Sequence, residues 1–190
     1  SKLLRERLGE NFQIQPVEVD LLQKSNDGTI KNAVKLHDGN VVESVLIPTD
    51  TRTTACVSSQ VGCSLDCTFC ATAQLKRMRN LTAAEIVDQV VIIDEESKRY
   101  FNRPLSNIVF MGMGEPLLNY NEVISAIKKI TLTEGLGMSP KRITVSTSGI
   151  PKMIEKLADD DLRVNLAVSL HSAREAVRNV IMPFTVKYPL

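Results

Sequence analysis

Four cysteines, Cys56, Cys63, Cys67 and Cys70, lie within 15 consecutive residues of a 190-residue chain that has no others. Thiols that staple a secreted scaffold are normally spread along the chain to close larger loops. Thiols clustered this tightly point instead to metal, cluster or redox chemistry in a reducing compartment. Cys63-Ser64-Leu65-Asp66-Cys67-Thr68-Phe69-Cys70 has C-x3-C-x2-C spacing with an aromatic just before the third thiol. Three thiolates on one tight loop can hold three irons of a [4Fe–4S] cube and leave the fourth iron open to a small molecule. The competing chemistry is a four-thiolate zinc site that recruits Cys56. Zinc knuckles usually pair two C-x2-C halves, and the Cys56–Cys63 spacing fits that badly. Inert core thiols are the third alternative.

Further candidates lie downstream. Phe110-Met111-Gly112-Met113-Gly114-Glu115-Pro116 closes a predicted strand. Two glycines there let a ligand approach the backbone, and the Glu115 carboxylate could hold an ammonium group; a plain turn is the bland alternative. Val164–His171 alternates Val164, Leu166, Val168 and Leu170 with Asn165, Ala167, Ser169 and His171, and Ile143 and Val145 alternate with Thr144, Ser146 and Ser148. A helix-covered sheet should be apolar on both faces, so a polar row marks strands whose inner face lines a cavity, or side chains hydrogen-bonded within the core. Glu43 shares a strand face with Val41, Val45 and Ile47, which makes it either an exposed edge carboxylate or a buried one suited to proton transfer. Lys76, Arg77 and Arg79 form a basic loop, solvated by default or available to RNA phosphate. His37, in a turn, reads as structural.

The elements that must position these residues follow from pattern. Ser1–Asn11 is expected to be a charged helix with Leu3, Leu4 and Leu8 on one side. Ser25–Gly28 and His37–Asn40 are hairpin turns between β-rich runs, and Pro48-Thr49-Asp50 ends this extension. Thr82-Ala83-Ala84-Glu85 is a capping box that opens a helix with Ile86, Val87, Val90 and Val91 inward; Asp94/Lys98 and Glu95/Arg99 pair on its solvated end. Asn107–Met111 is a strand. The helix after Asn119 turns Val123, Ile124, Ile127 and Ile130 inward. Arg142–Ser146 is a strand, Pro151 starts a helix at its favoured first position, Val164–Leu170 is a strand and residues 173–180 a last short helix. This rhythm predicts an α/β fold with a parallel sheet covered by helices, and the polar rows favour a barrel over an open sheet. Lys187–Leu190 looks like the lead-in to another unit, which suggests a fragment.

At 43% hydrophobic and 24% charged, the composition excludes wholesale disorder. No apolar run approaches the roughly 18–20 residues of a membrane span, and no signal-peptide pattern follows Ser1–Arg7, so the expectation is a soluble, cytoplasmic protein with no membrane partner. The net charge of +1 gives no global field, so any nucleic acid must be met by a local patch or by segments outside this chain.

Read together, Cys56–Cys63 with the C-x3-C-x2-C loop, Arg79–Thr82, Met111–Asn119, Ser146–Gly149 and Ser169-Leu170-His171 resemble the RlmN/Cfr radical S-adenosylmethionine RNA methyltransferases over nearly the whole chain. The resemblance implies a partial (β/α)6 barrel over residues 51–190, incomplete here, preceded by a helix and β-rich extension over 1–50. It implies a [4Fe–4S] cluster on Cys63, Cys67 and Cys70, and S-adenosylmethionine held by Gly114, Glu115, Ser146 and the Ser169, Leu170, His171 segment. It further implies that Cys56 resolves a covalent enzyme–RNA adduct and that Glu43 accepts a proton. In the family mechanism one S-adenosylmethionine methylates a further cysteine near the C-terminus, and a second is cleaved to a deoxyadenosyl radical that activates this methyl group. The implied reaction is methylation of an adenine carbon, C2 before C8, in 23S ribosomal RNA and in transfer RNA, with an electron donor such as flavodoxin or ferredoxin. The chain departs from the family in lacking the methyl-carrying cysteine. Two alternatives stand beside this reading. One is a radical-SAM enzyme of another substrate class, which the Cys56 spacing and β-extension argue against; the other is a non-catalytic zinc-binding RNA module.

Overall fold

A meander of three antiparallel strands runs, without a break in its sheet, into four parallel strands. The structure, a computed structural model, describes residues 2–11 and 17–189; Ser1 of the expected first helix and Leu190 of the expected lead-in fall outside them. Helix α1 (Lys2–Asn11) forms as read, but none of its residues is buried, so its leucine side is solvent-exposed. Strands β1 (Glu18–Lys24), β2 (Ile30–Lys35) and β3 (Val41–Pro48) are joined by the two expected turns. In each turn an aspartate, Asp27 or Asp38, accepts the backbone N–H two residues on, at 2.9 and 3.1 Å. Strand β4 (Thr53–Cys56) pairs antiparallel with β3. The two-residue strands β5 (Gln60–Val61) and β6 (Arg79–Asn80) pair on their own and bracket the cysteine loop.

From there helices alternate with strands: α2 (Ala83–Phe101), β7 (Asn107–Phe110), α3 (Tyr120–Thr131), β8 (Ile143–Thr147), α4 (Pro151–Asp159), β9 (Asn165–Val168) and α5 (Glu175–Ile181). The strand order is β1-β2-β3-β4-β7-β8-β9, parallel from β4 onward. The boundary expected at residue 50 falls in the turn between β3 and β4, two neighbours in this sheet.

The two faces of the sheet differ sharply in burial. Ile30, Leu46, Ala55, Ile108 and Ile143 face one another in register across five strands, and each is at most 1% exposed. Together with Ile86, Val90 and Ile93 of α2 and Val123, Ile127 and Ile130 of α3 they form the core. The opposite row, Lys31, Val45, Cys56, Val109, Thr144 and Asn165, is only half-buried or exposed. The polar alternation of β8 and β9 thus marks the open, inner face of a partial barrel. The outer face of β9 is less covered than expected, with Leu166 and Val168 both exposed.

Helix α2 begins with the capping box that its sequence specifies, Thr82 and Glu85 each satisfying the other's backbone N–H. Its buried face carries more than aliphatic side chains. Asp94, expected on a solvated end, is buried; it accepts the Leu105 N–H at 2.8 Å as well as Lys98 at 2.6 Å. Glu95 and Arg99 make no ion pair among the described residues. Ser97 donates to the Arg103 carbonyl and bonds the Thr53 hydroxyl, which ties the helix to β4.

Arg79 is not a free cation of the basic loop. Its guanidinium meets both oxygens of buried Glu85, at 2.7 and 2.9 Å, and Asp38 at 2.6 Å. His37 Nδ1 also lies 3.2 Å from Glu85, so the second hairpin turn is pinned to the start of α2. Burial pushes the Glu85 carboxyl up, but Arg79 and the Thr82 N–H outweigh it and the net direction is downward. Asp38 is likewise held below the usual carboxylate range by Arg79.

A depressed carboxyl stabilises the fold above its unfolded pKa, and that contribution is lost as pH falls through the folded value. Acid unfolding below about pH 4 should therefore be less steep in Glu85→Gln, which should also lose about 1–3 kcal/mol at neutral pH by leaving Arg79 with one carboxylate. Urea titrations at stepped pH measure both. In the core, Ile93→Ala should lose about 2–5 kcal/mol, whereas Leu3→Ala on α1 should stay within about 0.5 kcal/mol. Equal losses would show that α1 packs into the core.

Candidate functional site

The site begins where β4 ends. Residues 57–60 run beside 109–113: Val57 N–H donates to Val109 O, Gly112 N–H to Val57 O, and Ser59 and Gln60 N–H groups both to Met113 O, at 2.9–3.2 Å. Gln89 of α2 holds this seam from behind, accepting the Ser58 N–H at 2.9 Å and donating to the Ser58 carbonyl at 3.2 Å. The cysteine loop leaves from β5 through Gly62. A Cβ at Gly62 would lie 2.4 Å from the Lys76 carbonyl, and the backbone there is left-handed, so only glycine fits. The loop is then closed by Cys63 N–H on Leu75 O, Cys70 N–H on Cys67 O, and Thr68 N–H on Ile181 O at 2.9 Å.

Cys63, Cys67 and Cys70, all half-buried free thiols, line one side of a single cavity of about 280 Å³. Across it stand Gly114, Glu115, Ser146, Ser148, Ser169 and His171. Gly114 is left-handed, and a Cβ there would meet Gln60 at 2.5 Å, so the backbone of the Gly-x-Gly turn packs directly against the seam. Glu115 is 3% exposed. One carboxylate oxygen accepts the Leu117 N–H at 3.1 Å; the other accepts both the N–H (2.8 Å) and the hydroxyl of Ser148. Gln60 Oε1 accepts the Glu115 N–H at 2.9 Å. The carboxylate is thus held rigidly at the cavity wall, where it can receive a cationic group.

Not every expected residue is brought there. Leu170 is exposed and lies outside the lining, because the strand expected to reach it ends at Val168 and the chain turns through a left-handed His171. Cys56 and Glu43 also lie outside it. Both are on the inner face of the sheet, Cys56 opposite Val45 and Glu43 two residues further along β3. Glu43 is neither at an edge nor buried: its side chain is half-exposed and ion-paired with Lys31 at 3.0 Å, while its carbonyl accepts the Ser58 hydroxyl at 2.6 Å. Lys76 and Arg77 are exposed. Sequence reasoning missed Gln60, Gln89 and Arg178, none of which carries a local signal. Ser148 entered it within a polar row and within the Ser146–Gly149 motif, with no role of its own.

Cys56, Cys63 and Cys67 sit in surroundings that resist ionisation. Burial pushes Cys56 up, partly offset by the Met111 backbone. Burial also raises Cys63, and burial together with the neighbouring Cys63 and Cys70 thiols pushes Cys67 up to about 11. Such thiols give up their protons readily only to a metal cation. Among the described residues no three Cys, His, Asp or Glu side chains converge as they would around one ion. Three thiolates lining one cavity suit a cluster that spreads them over three irons, and Cys56, which does not line that cavity, is not placed to close a zinc site with them. Phe69 and His171 rings touch across the cavity mouth at 4.2 Å.

Comparison with known proteins gives a consistent result. The chain is 73% identical over 190 residues to a protein of Flavobacterium psychrophilum named probable dual-specificity RNA methyltransferase RlmN, and 71% identical to one of the same name from Christiangramia forsetii. It covers 55% and 54% of those proteins, so it spans about half the length of the curated relatives it matches. The crystal structure of a radical SAM methyltransferase from Sphaerobacter thermophilus superimposes with a TM-score of 0.95 at 41% identity, over 100% of this chain and 56% of that one. The Radical SAM superfamily matches residues 57–188. Its span takes in the three-thiol loop, the Glu115 turn and strands β7 to β9, so the chain belongs to the radical SAM superfamily, whose cofactors are a [4Fe–4S] cluster and S-adenosylmethionine.

Proposed function

We propose that this chain carries the cofactor-binding core of a radical SAM RNA methyltransferase that methylates adenine, at C2, in 23S ribosomal RNA and transfer RNA. The observation that carries the proposal is one cavity shared by three thiols and a buried, rigidly held carboxylate. The relatives at 73% and 71% identity support the RNA substrate through their names. An acidic one-electron carrier of the flavodoxin or ferredoxin type supplies the electron, in the cytoplasm. Among the described residues no helix is long and apolar enough to cross a membrane.

In this reading Cys63, Cys67 and Cys70 hold the cluster, and Glu115 receives the ammonium group of S-adenosylmethionine. Gly114 gives the cofactor access to backbone. Ser146, Ser169 and His171 contact it from the ends of β8 and β9, and Leu170 contributes through its backbone. When bound, the two groups supply radical chemistry and a methyl group, because removing hydrogen from an unactivated carbon is beyond any side-chain base. The protein's own acid–base work falls to the inner face of the sheet. Burial pushes the Cys56 thiol up. To release the adduct, its sulfur forms a disulfide with the sulfur of the methyl-carrying cysteine, the carbon–sulfur bond to the RNA breaks, and the freed carbon takes the electron pair and a proton to become the methyl group. Glu43, half-exposed beside Lys31, accepts the proton of the adenine carbon only after the carbon added by the radical step has made that position acidic. The methyl-carrying cysteine of the resembling family has no counterpart among the four cysteines present.

Anaerobic reconstitution should load about four irons per chain, and Cys67→Ala should abolish uptake. Stoichiometric zinc with no iron would replace the proposal with the zinc-module reading. In the whole protein, Cys56→Ala should keep its iron and still cleave S-adenosylmethionine, yet accumulate RNA covalently attached to protein, visible on denaturing gels. Loss of iron in that variant would make Cys56 a ligand; normal turnover would remove it from the mechanism.

A further inference from the structure

Arg178 is 3% exposed, and among the described residues no carboxylate lies within ion-pair distance of it. Among the described residues one hydrogen bond engages its guanidinium: Nη2 donates to the Ser148 carbonyl at 2.9 Å. Its Nε is buried with no partner. A buried cation left this poorly compensated is costly, and an apolar side chain would fill the same volume at less expense. Its burial is already complete within these residues. The guanidinium must therefore do something that packing alone does not.

Its hydrogen-bond partner is the carbonyl of a residue that lines the cavity. The Ser148 carbonyl belongs to the peptide leading into Gly149, whose backbone is left-handed and whose N–H returns to the Thr147 hydroxyl at 3.1 Å. Fixing that carbonyl fixes the orientation of Ser148, and Ser148 gives Glu115 both its N–H and its hydroxyl. The same helix grips the cluster loop. Ile181, the last residue of α5, accepts the N–H and the hydroxyl of Thr68 on its carbonyl, at 2.9 and 3.3 Å. Thr68 directly follows Cys67.

We propose that Arg178 is a positioning residue: α5 holds the Cys67 loop through Ile181 and the Ser148–Glu115 pair through Arg178, and so sets the Glu115 carboxylate at a fixed distance from the three thiols. The proposal rests on Glu115 as the S-adenosylmethionine contact. A rigid, planar donor suits the task, whereas a lysine in its place is a mobile point charge. Because Arg178 acts through Ser148 on Glu115, its effect on affinity must vanish once the carboxylate is gone.

The test is a double-mutant cycle on the whole, anaerobically reconstituted protein, read by calorimetry with S-adenosylmethionine and by paramagnetic resonance of the reduced cluster. Arg178→Met should keep its iron and weaken S-adenosylmethionine binding about tenfold. The cofactor-induced change in the cluster spectrum should then need correspondingly more cofactor. In a Glu115→Ala background the same substitution should cause no further loss. Unchanged affinity, or an equal loss in both backgrounds, overturns the proposal. Should Arg178→Met fail to fold, Arg178→Lys runs through the same cycle with the same expected coupling. A wild-type protein that takes up iron but binds no S-adenosylmethionine takes down the reading of Glu115 itself, and is distinguished by needing no variant.

Discussion

The seam between residues 57–60 and 109–113 is the constraint on which the rest depends. Residues 57–60 continue past the end of β4 fully buried, where every backbone N–H and C=O must find a partner or leave a costly orphan. Four backbone bonds and the Gln89 amide meet that demand. The cysteine loop departs three residues after one segment, and Gly114-Glu115 directly follows the other. Thiols and carboxylate therefore face each other because two extended stretches of chain are locked side by side, and the lock is a polar side chain on the far face of the sheet.

The parts of this arrangement that were legible in the sequence are those whose cause is local. The thiol spacing, the Thr82–Glu85 capping box, the inward stripe of α3 and Pro151 at the head of α4 each express their physics within a few residues. The alternation along β8 and β9 reported an inner face correctly because strand periodicity is strict. What could not be read was the use of polar residues whose partners are remote. Gln89 meets a backbone 31 residues away, and Glu96 accepts from Asn32 at a separation of 64. Arg79 looked like a free cation because Asp38 and Glu85 are not its sequence neighbours in any recognisable pattern. Glu43 defied both of its expected environments for a related reason: whether a strand face is open depends on which helices cover the sheet, and nothing in β3 itself says so.

Helix α2 shows how far a pattern of aliphatic residues understates a helix. Ile86, Val90 and Ile93 seal it to the sheet, yet Glu85, Gln89, Asp94, Glu96 and Ser97 are buried with them. Each fixes a different strand or loop by direction rather than by contact area. An all-aliphatic face would bury equal surface while leaving the register of β2, β4 and the cysteine loop less determined. Precision at the cavity is thus set on the side of the sheet where no chemistry takes place.

The two edges of the sheet are unequally defended. Strand β1 carries Glu18, Asp20 and Lys24 and an irregularity between Val19 and Leu21 that twists its pairing surface, the usual means by which an edge refuses a further strand. Strand β9, Asn165-Leu166-Ala167-Val168, has neither a charge nor a bulge, and its apolar side chains are exposed. Among the described residues no strand pairs with its outer side, which leaves a template open to any extended segment of suitable composition. For this stretch of chain in isolation, the route to self-association runs through that edge, and a lysine or proline placed there would close it without touching the cavity.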